Sequence, residues 1–204
     1  MRQVGIEPVT KTKFRIYLDG KFAFVLYKSE LSSCHLKDGE AVTEDQIETI
    51  LSEIVLKRAK RKAMSILQSM DRTESELRDR LLRQDFPEET VDQAVRYVKS
   101  FGYVDDRRYA ESFILSRKGR KSRREIYAEL SGKKIDGEIV DEMMERCYEE
   151  SDSGEALRHL LRKKHYDPSR ASVEEKQKLY AYLARKGFSY GEIKKALNLE
   201  FPED

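Results

Sequence analysis

The histidines and cysteines of this chain are the first residues to test for chemistry, and their spacing speaks against it. His35, His159 and His165 share no metal-ligand spacing with one another or with Cys34 and Cys147, so no structural metal site is expected. The cysteines form no CxxC pair and read as reduced thiols. Asp105-Asp106 could serve as paired acids or hold a cation. Arg107-Arg108-Tyr109-Ala110 follows them as a helix start, however, where Asp is a preferred cap. Gly119 and Gly132 stand alone, without a G-x-x-x-x-G-K-[ST] phosphate loop. The expectation is no enzyme, no cofactor and no metal.

Charge placement carries more information. Residues 57–134 hold 21 Lys and Arg against 13 Asp and Glu, whereas 136–155 hold 1 against 9, so the formal net charge of +2 conceals a polarised chain. Three basic clusters stand out: Lys57, Arg58, Lys60, Arg61 and Lys62; then Arg117, Lys118, Arg120, Lys121, Arg123 and Arg124; then Arg162, Lys163 and Lys164 beside His165. One such cluster reads as an ordinary solvated face. Three along one chain point to an anionic partner, either phosphates or an acidic protein groove. These fourteen Lys and Arg side chains are the candidate partner-binding residues.

The elements that must position them are thin. Of the 204 residues 38% are charged and 39% hydrophobic, which excludes one thick core, while 11 Tyr and 8 Phe argue against disorder. The longest apolar stretch, Phe22 to Tyr27, is too short for a membrane span, and the start lacks a secretory pattern. A cytoplasmic, monomeric protein is expected.

Phe14, Ile16 and Leu18, then Phe22, Phe24 and Leu26, alternate on either side of Asp19-Gly20, the preferred two-residue hairpin turn. A third strand over Val4 to Val9, or a helix, is needed to stabilise that hairpin. Lys37 to Ala41 reads as a polar loop. Thr43 with Gln46 starts a helix whose apolar stripe runs Ile47, Leu51, Val55, Ala59, Ala63, Leu67 and Met70.

Beyond it the chain repeats. At an offset of 49, Leu77, Leu81, Phe86, Val91, Ala94 and Val95 fall on Ile126, Leu130, Ile135, Val140, Met143 and Met144. A further offset of 53 places Leu179, Leu183, Phe188, Ile193, Ala196 and Leu197 on the latter set. Thr73 with Glu76 and Ser122 with Glu125 form S/T-x-x-E capping boxes. Pro87, Asp136 and Ser189 take matching caps, each flanked by apolar residues at staple spacing. An apolar helix precedes each block, at Ala63 to Met70, Tyr109 to Leu115 and Ala156 to Leu161.

The predicted fold is therefore mainly α, an elongated, solenoid-like tandem array of three three-helix units after a small N-terminal β-hairpin region. Its expected divisions are the hairpin region 1–43, a connecting helix 44–58, and repeats at 59–105, 106–150 and 151–204. Lys163 to Ser172, with Asp167-Pro168, is an insertion read as a flexible loop. A helix-turn-helix reader is not expected, because Glu88 to Ser100 offers only Arg96 and Lys99, and Glu138 to Glu150 is acidic.

Tyr103-Val104-Asp105-Asp106-Arg107-Arg108-Tyr109-Ala110-Glu111-Ser112-Phe113, continuing through Arg117, Gly119, Ser122, Ile126, Glu129-Leu130, Lys133 and Ile135, resembles the RecX family. It is similar to that family's D-[DE]-x-[RK]-[FY]-A segment, basic turn and R-x-x-E-[IL]-x-x-E-L helix. The chain departs from the frequent Gly-x-Gly-Pro-type turn with Gly119-Arg120-Lys121-Ser122. The resemblance implies a non-enzymatic regulator that lodges in the groove of a RecA–DNA filament and hinders ATP turnover, filament growth and strand exchange. Tyr103 and Tyr109 are then candidate aromatic anchors, with core packing the expected role of Tyr109. The alternative is a sequence-independent DNA binder that acts by occupying DNA.

Overall fold

The computed structural model describes residues 1–197, in two compact units that divide between Asp105 and Asp106. The end of the third expected repeat, residues 198–204, lies outside the described residues.

The first unit opens with a four-stranded antiparallel sheet, β1 (Arg2–Pro8), β2 (Lys13–Leu18), β3 (Lys21–Tyr27) and β4 (Ala41–Val42), ordered β3-β2-β1-β4. Asp19 and Gly20 both have positive φ, 50° and 76°, as the hairpin turn requires. Two expectations are corrected. Ala41, assigned above to a loop, pairs with Gln3 as part of an edge strand that buries Val42. Phe22 does not share the inner face with Phe24 and Leu26. The pairing runs Ile16 to Phe24 and then Tyr17 to Phe22, so a bulge at Ala23 turns Phe22 outward against Tyr17, with ring centroids 6.1 Å apart.

After α1 (Lys28–Ser33), the stripe expected from Ile47 to Met70 forms α2 (Glu44–Ile50), a π-helical turn (Leu51–Val55) and α3 (Leu56–Ser69). The buried positions are Ile47, Ile50, Val55, Ala59, Ala63 and Ile66. The five-residue step from Ile50 to Val55 coincides with the Leu56 amide bonding to the Leu51 carbonyl. One inserted residue thus resets the apolar stripe toward the sheet, and Met70 ends up exposed.

α4 (Glu74–Leu82) and α5 (Glu88–Ser100) complete the first unit; Leu77, Leu81, Phe86, Val91, Ala94 and Val95 join one core with the sheet. In the second unit α6 (Asp106–Arg117), α7 (Arg123–Ser131) and α8 (Gly137–Cys147) enclose one core, and α9 (Glu150–Lys163), α10 (Val173–Arg185) and α11 (Tyr190–Leu197) another. The repeat is also written in the backbone. Asp85, Lys134 and Gly187 occupy equivalent positions and all have positive φ, 62°, 56° and 88°. This left-handed residue reverses the chain between the second and third helices of each unit. The capping boxes are less uniform. Ser122 accepts the Glu125 amide at 3.1 Å, but the Glu125 carboxylate is taken up by Lys186 at 3.1 Å. In the third repeat α10 starts from Ser172, whose box with Glu175 is complete, and has 13 residues where α4 and α7 have 9.

Candidate partner-binding surfaces

Six consecutive residues wind through more than one and a half helical turns, so the cluster on α3 cannot present one face. Lys57 is paired with Glu53 at 2.5 Å. Arg58 points inward, bonded to Glu30 and, at 2.7 Å, to the Val25 carbonyl, with its guanidinium over the Tyr27 and Phe86 rings. Lys60 lies 4.4 Å from the Tyr97 ring centre, Arg61 is exposed, and Lys62 is half-buried. Arg58 is therefore a packing residue first, joining the helix to the sheet.

The turn between α6 and α7 divides as well. Arg117 stacks 3.6 Å from the Phe113 ring centre and reaches Glu129 at 3.4 Å. Lys118 pairs with Asp152 at 3.3 Å, and Lys121 pairs with Glu129 and, at 3.6 Å, with Glu125. Arg123 bonds the Tyr148 carbonyl at 3.4 Å. Arg120 and Arg124 are exposed, with no ion pair among the described residues. The acidic strip is thus partly folded onto this turn: a Cβ added at Gly119 would meet the Glu155 carboxylate at 3.1 Å.

Arg162, Lys163 and Lys164 are all exposed at the end of α9. Lys164 places its ammonium 4.8 Å from the Tyr182 ring centre. Here the fold brings together what the sequence separates. Two open grooves, of about 740 and 710 Å³, share Tyr182 and Arg185 of α10 as a common wall. One is also lined by Lys164, His165, Arg170 and Lys178, the other by Arg124, Lys186 and Gly187. The second and third clusters therefore flank the same helix. The acids here are largely engaged: Glu125 and Glu129 hold lysines, Glu175 caps α10, and Asp167 bonds Ser169. Hydrogen bonding from Ser169 holds the Asp167 carboxyl below its ordinary value, and the bond with Glu125 pushes the Lys186 ammonium up.

Sequence reasoning missed Tyr182, Arg185 and Lys178. Their one available signal is that they fall off the Leu179–Leu183 stripe on a helix flanked by basic segments. Phe101 was missed too. It is 58% exposed, packs edge-on against Tyr97 at 5.0 Å and stacks on Tyr103 at 5.9 Å, while Tyr103 is 49% exposed. Tyr109 packs against the core with Phe113. Among the described residues no group of three His, Cys, Asp or Glu is placed to hold a metal. No helix there is long and apolar enough to cross a membrane.

Models of the first, second and third three-helix domains of RecX match residues 59–97, 105–144 and 150–197. Regulatory protein RecX of Caldanaerobacter subterraneus subsp. tengcongensis is 32% identical over 189 residues, covering 92% of this chain and 93% of that protein. Its namesake from Clostridium acetobutylicum is 29% identical over 199 residues, covering 95% and 92%. A crystal structure of regulatory protein RecX is similar with a TM-score of 0.65 at 26% identity, covering 97% of this chain and 99% of that one.

Proposed function

The chain belongs to the RecX family of regulatory proteins, and from that premise we propose that it is a cytoplasmic, non-enzymatic regulator of homologous recombination. It binds the RecA–DNA filament along its groove and inhibits ATP turnover, filament extension and strand exchange. The repeats 59–105, 106–150 and 151–204 act as its contact modules. The observation that supports this reading best is the Tyr182–Arg185 wall, where Arg124 on one side and Lys164 on the other flank an aromatic ring. A groove of that kind suits an anionic partner with planar or apolar groups, and its cations speed and orient encounter. The exposed Phe101–Tyr103 pair supplies the aromatic anchors that carry binding energy at protein interfaces.

A titration of RecA ATPase on single-stranded DNA tests the reading. Inhibition is expected at amounts of this protein far below the DNA binding sites present. Inhibition that sets in only as naked DNA becomes saturated overturns it. That outcome favours a second reading, sequence-independent DNA binding, which the cation-over-ring geometry of Lys164 and Tyr182 also suits. Salt separates the two, since a phosphate-dominated complex loses about 0.7 log units of affinity per log unit of salt for each single-strand phosphate neutralised.

A further inference from the structure

The first unit contains a second cationic site, independent of the groove on α10. A recess of about 280 Å³ is lined by Lys13 of β2, Val25 and Tyr27 of β3, Arg58 and Lys62 of α3, and Arg83, Gln84 and Phe86 at the α4–α5 turn. Four cations from three separate parts of the unit converge on it. Two carboxylates balance two of them: Asp85 holds Lys13 at 2.7 Å, and Glu30 holds Arg58. Lys62 and Arg83 have no ion pair among the described residues.

The construction around the recess is fixed rather than incidental. Arg58 and Lys62 are four residues apart, so they share a face of α3. Arg58 is immobilised between Tyr27 and Phe86. Asp85 adopts a left-handed backbone, φ 62°, where the third repeat has Gly187. A side chain at that position is conformationally unfavourable, and here its carboxylate anchors Lys13 at the rim. With four cations lining one recess and two of them without an ion pair among the described residues, the site favours an anion.

We propose that this recess binds a phosphate group, with Lys62 and Arg83 as its principal ligands and Lys13 and Arg58 as the fixed positive frame. Size selects the ligand. The recess lies just below the 300–1,000 Å³ typical of pockets that enclose a drug-sized molecule, so it takes a phosphoryl or pyrophosphoryl group and leaves the remainder of a larger ligand outside. Arg offers a planar fork of donors suited to two phosphate oxygens, and Lys a point charge. The group can come from the backbone of a nucleic acid or from a free polyphosphate.

The test is a titration of the full chain, followed by amide resonances of residues 83–86 and by calorimetry, with pyrophosphate and separately with a ten-nucleotide oligothymidine. Pyrophosphate should shift these resonances saturably, and K62E/R83E should weaken its binding at least tenfold. Circular dichroism of that variant should match the parent, since neither residue holds an ion pair among the described residues. R83Q, which keeps the side chain's bulk, provides a milder variant should the reversal perturb folding. If the oligonucleotide binds through this recess, removal of two cations should lower its salt slope by about 1.4, identifying a nucleic-acid backbone as the source. Pyrophosphate binding without oligonucleotide binding identifies a free polyphosphate instead. The proposal is overturned if neither ligand shifts residues 83–86, or if both variants bind as the parent does. No recombinase enters this experiment, so its outcome is independent of the filament assay above.

Discussion

The Ser122 hydroxyl donates a 2.5 Å hydrogen bond to the Lys186 carbonyl while accepting the Glu125 amide at 3.1 Å. One buried side chain therefore caps α7 and fastens the second repeat to the end of α10. Gly187, next along, lies so close that a Cβ there would sit 2.9 Å from both the Ser122 oxygen and the Arg124 Cβ. Ser122→Ala should cost about 2 kcal/mol, combining a lost cap with a carbonyl left without its donor. Gly187→Ala should cost at least about as much, because its φ of 88° is left-handed and the space is filled. Urea unfolding midpoints of both variants check this; unchanged midpoints would show that the two repeats are not fastened here.

The basic turn makes two opposite predictions depending on which cation is reversed. Arg124, Arg185 and Lys164 are exposed on the walls of the α10 grooves. Changing all three to Glu should weaken filament binding at least tenfold, with stability moving by no more than about 0.5 kcal/mol per site. Lys121→Glu should do the reverse. It would set a third carboxylate beside Glu125 and Glu129 and lower stability by about 1 kcal/mol. Anisotropy binding curves and thermal melts, measured on both variants, separate the two effects.

The contrast between these cations shows what could be read in the chain before its fold was known. The repeat was legible because burial requires apolar side chains at fixed intervals, and Leu81, Leu130 and Leu183, all fully buried, obey that requirement. The left-handed positions were not, since Asp85, Lys134 and Gly187 share a backbone angle without sharing a residue type. Charge was legible, but its counter-ions were not. Lys118 meets Asp152 from 34 positions away, and nothing in a linear run of lysines and arginines distinguishes that residue from exposed Arg120. The two grooves escaped notice for the same reason: Lys164 and Arg124 come to flank Tyr182 only after α10 is packed.

Acid should loosen the third repeat through Glu192. Burial pushes its carboxyl up, yet hydrogen bonds from the Ser153 hydroxyl and from the Ser189 hydroxyl and amide, the latter at 2.7 and 2.6 Å, carry it below its ordinary 4.5. A carboxyl depressed in the folded chain adds stability above its unfolded pKa, and that contribution disappears as pH falls through the folded value. Glu192→Gln should therefore be less stable than the parent at pH 7, by about 1 kcal/mol. The gap should close as pH falls from 7 through that depressed folded value, once both chains are neutral at this position. Melting both proteins across that range checks the sign; a gap constant with pH would refute it.

Phe101 and Tyr103 provide the sharpest separation of binding from folding. Their rings stack at 5.9 Å with 24° between planes, and about half of each side chain faces solvent. Two large aromatic rings left in water contribute little to the core, so replacing both with Ala should alter stability by less than about 1 kcal/mol. At an interface the same rings would be desolvated together, and each truncation at such a site commonly costs about 2 kcal/mol or more of binding, roughly 30-fold in affinity. Filament affinity of F101A/Y103A, compared with that of the Arg124, Arg185 and Lys164 triple reversal at two salt concentrations, distinguishes their roles. The aromatic loss should persist at high salt, because it removes apolar contact. The charge-reversal loss should shrink, because screening weakens the interaction it removes. Equal salt dependence in the two variants would mean that the rings act only by holding neighbouring cations in place, as Lys60 sits over Tyr97.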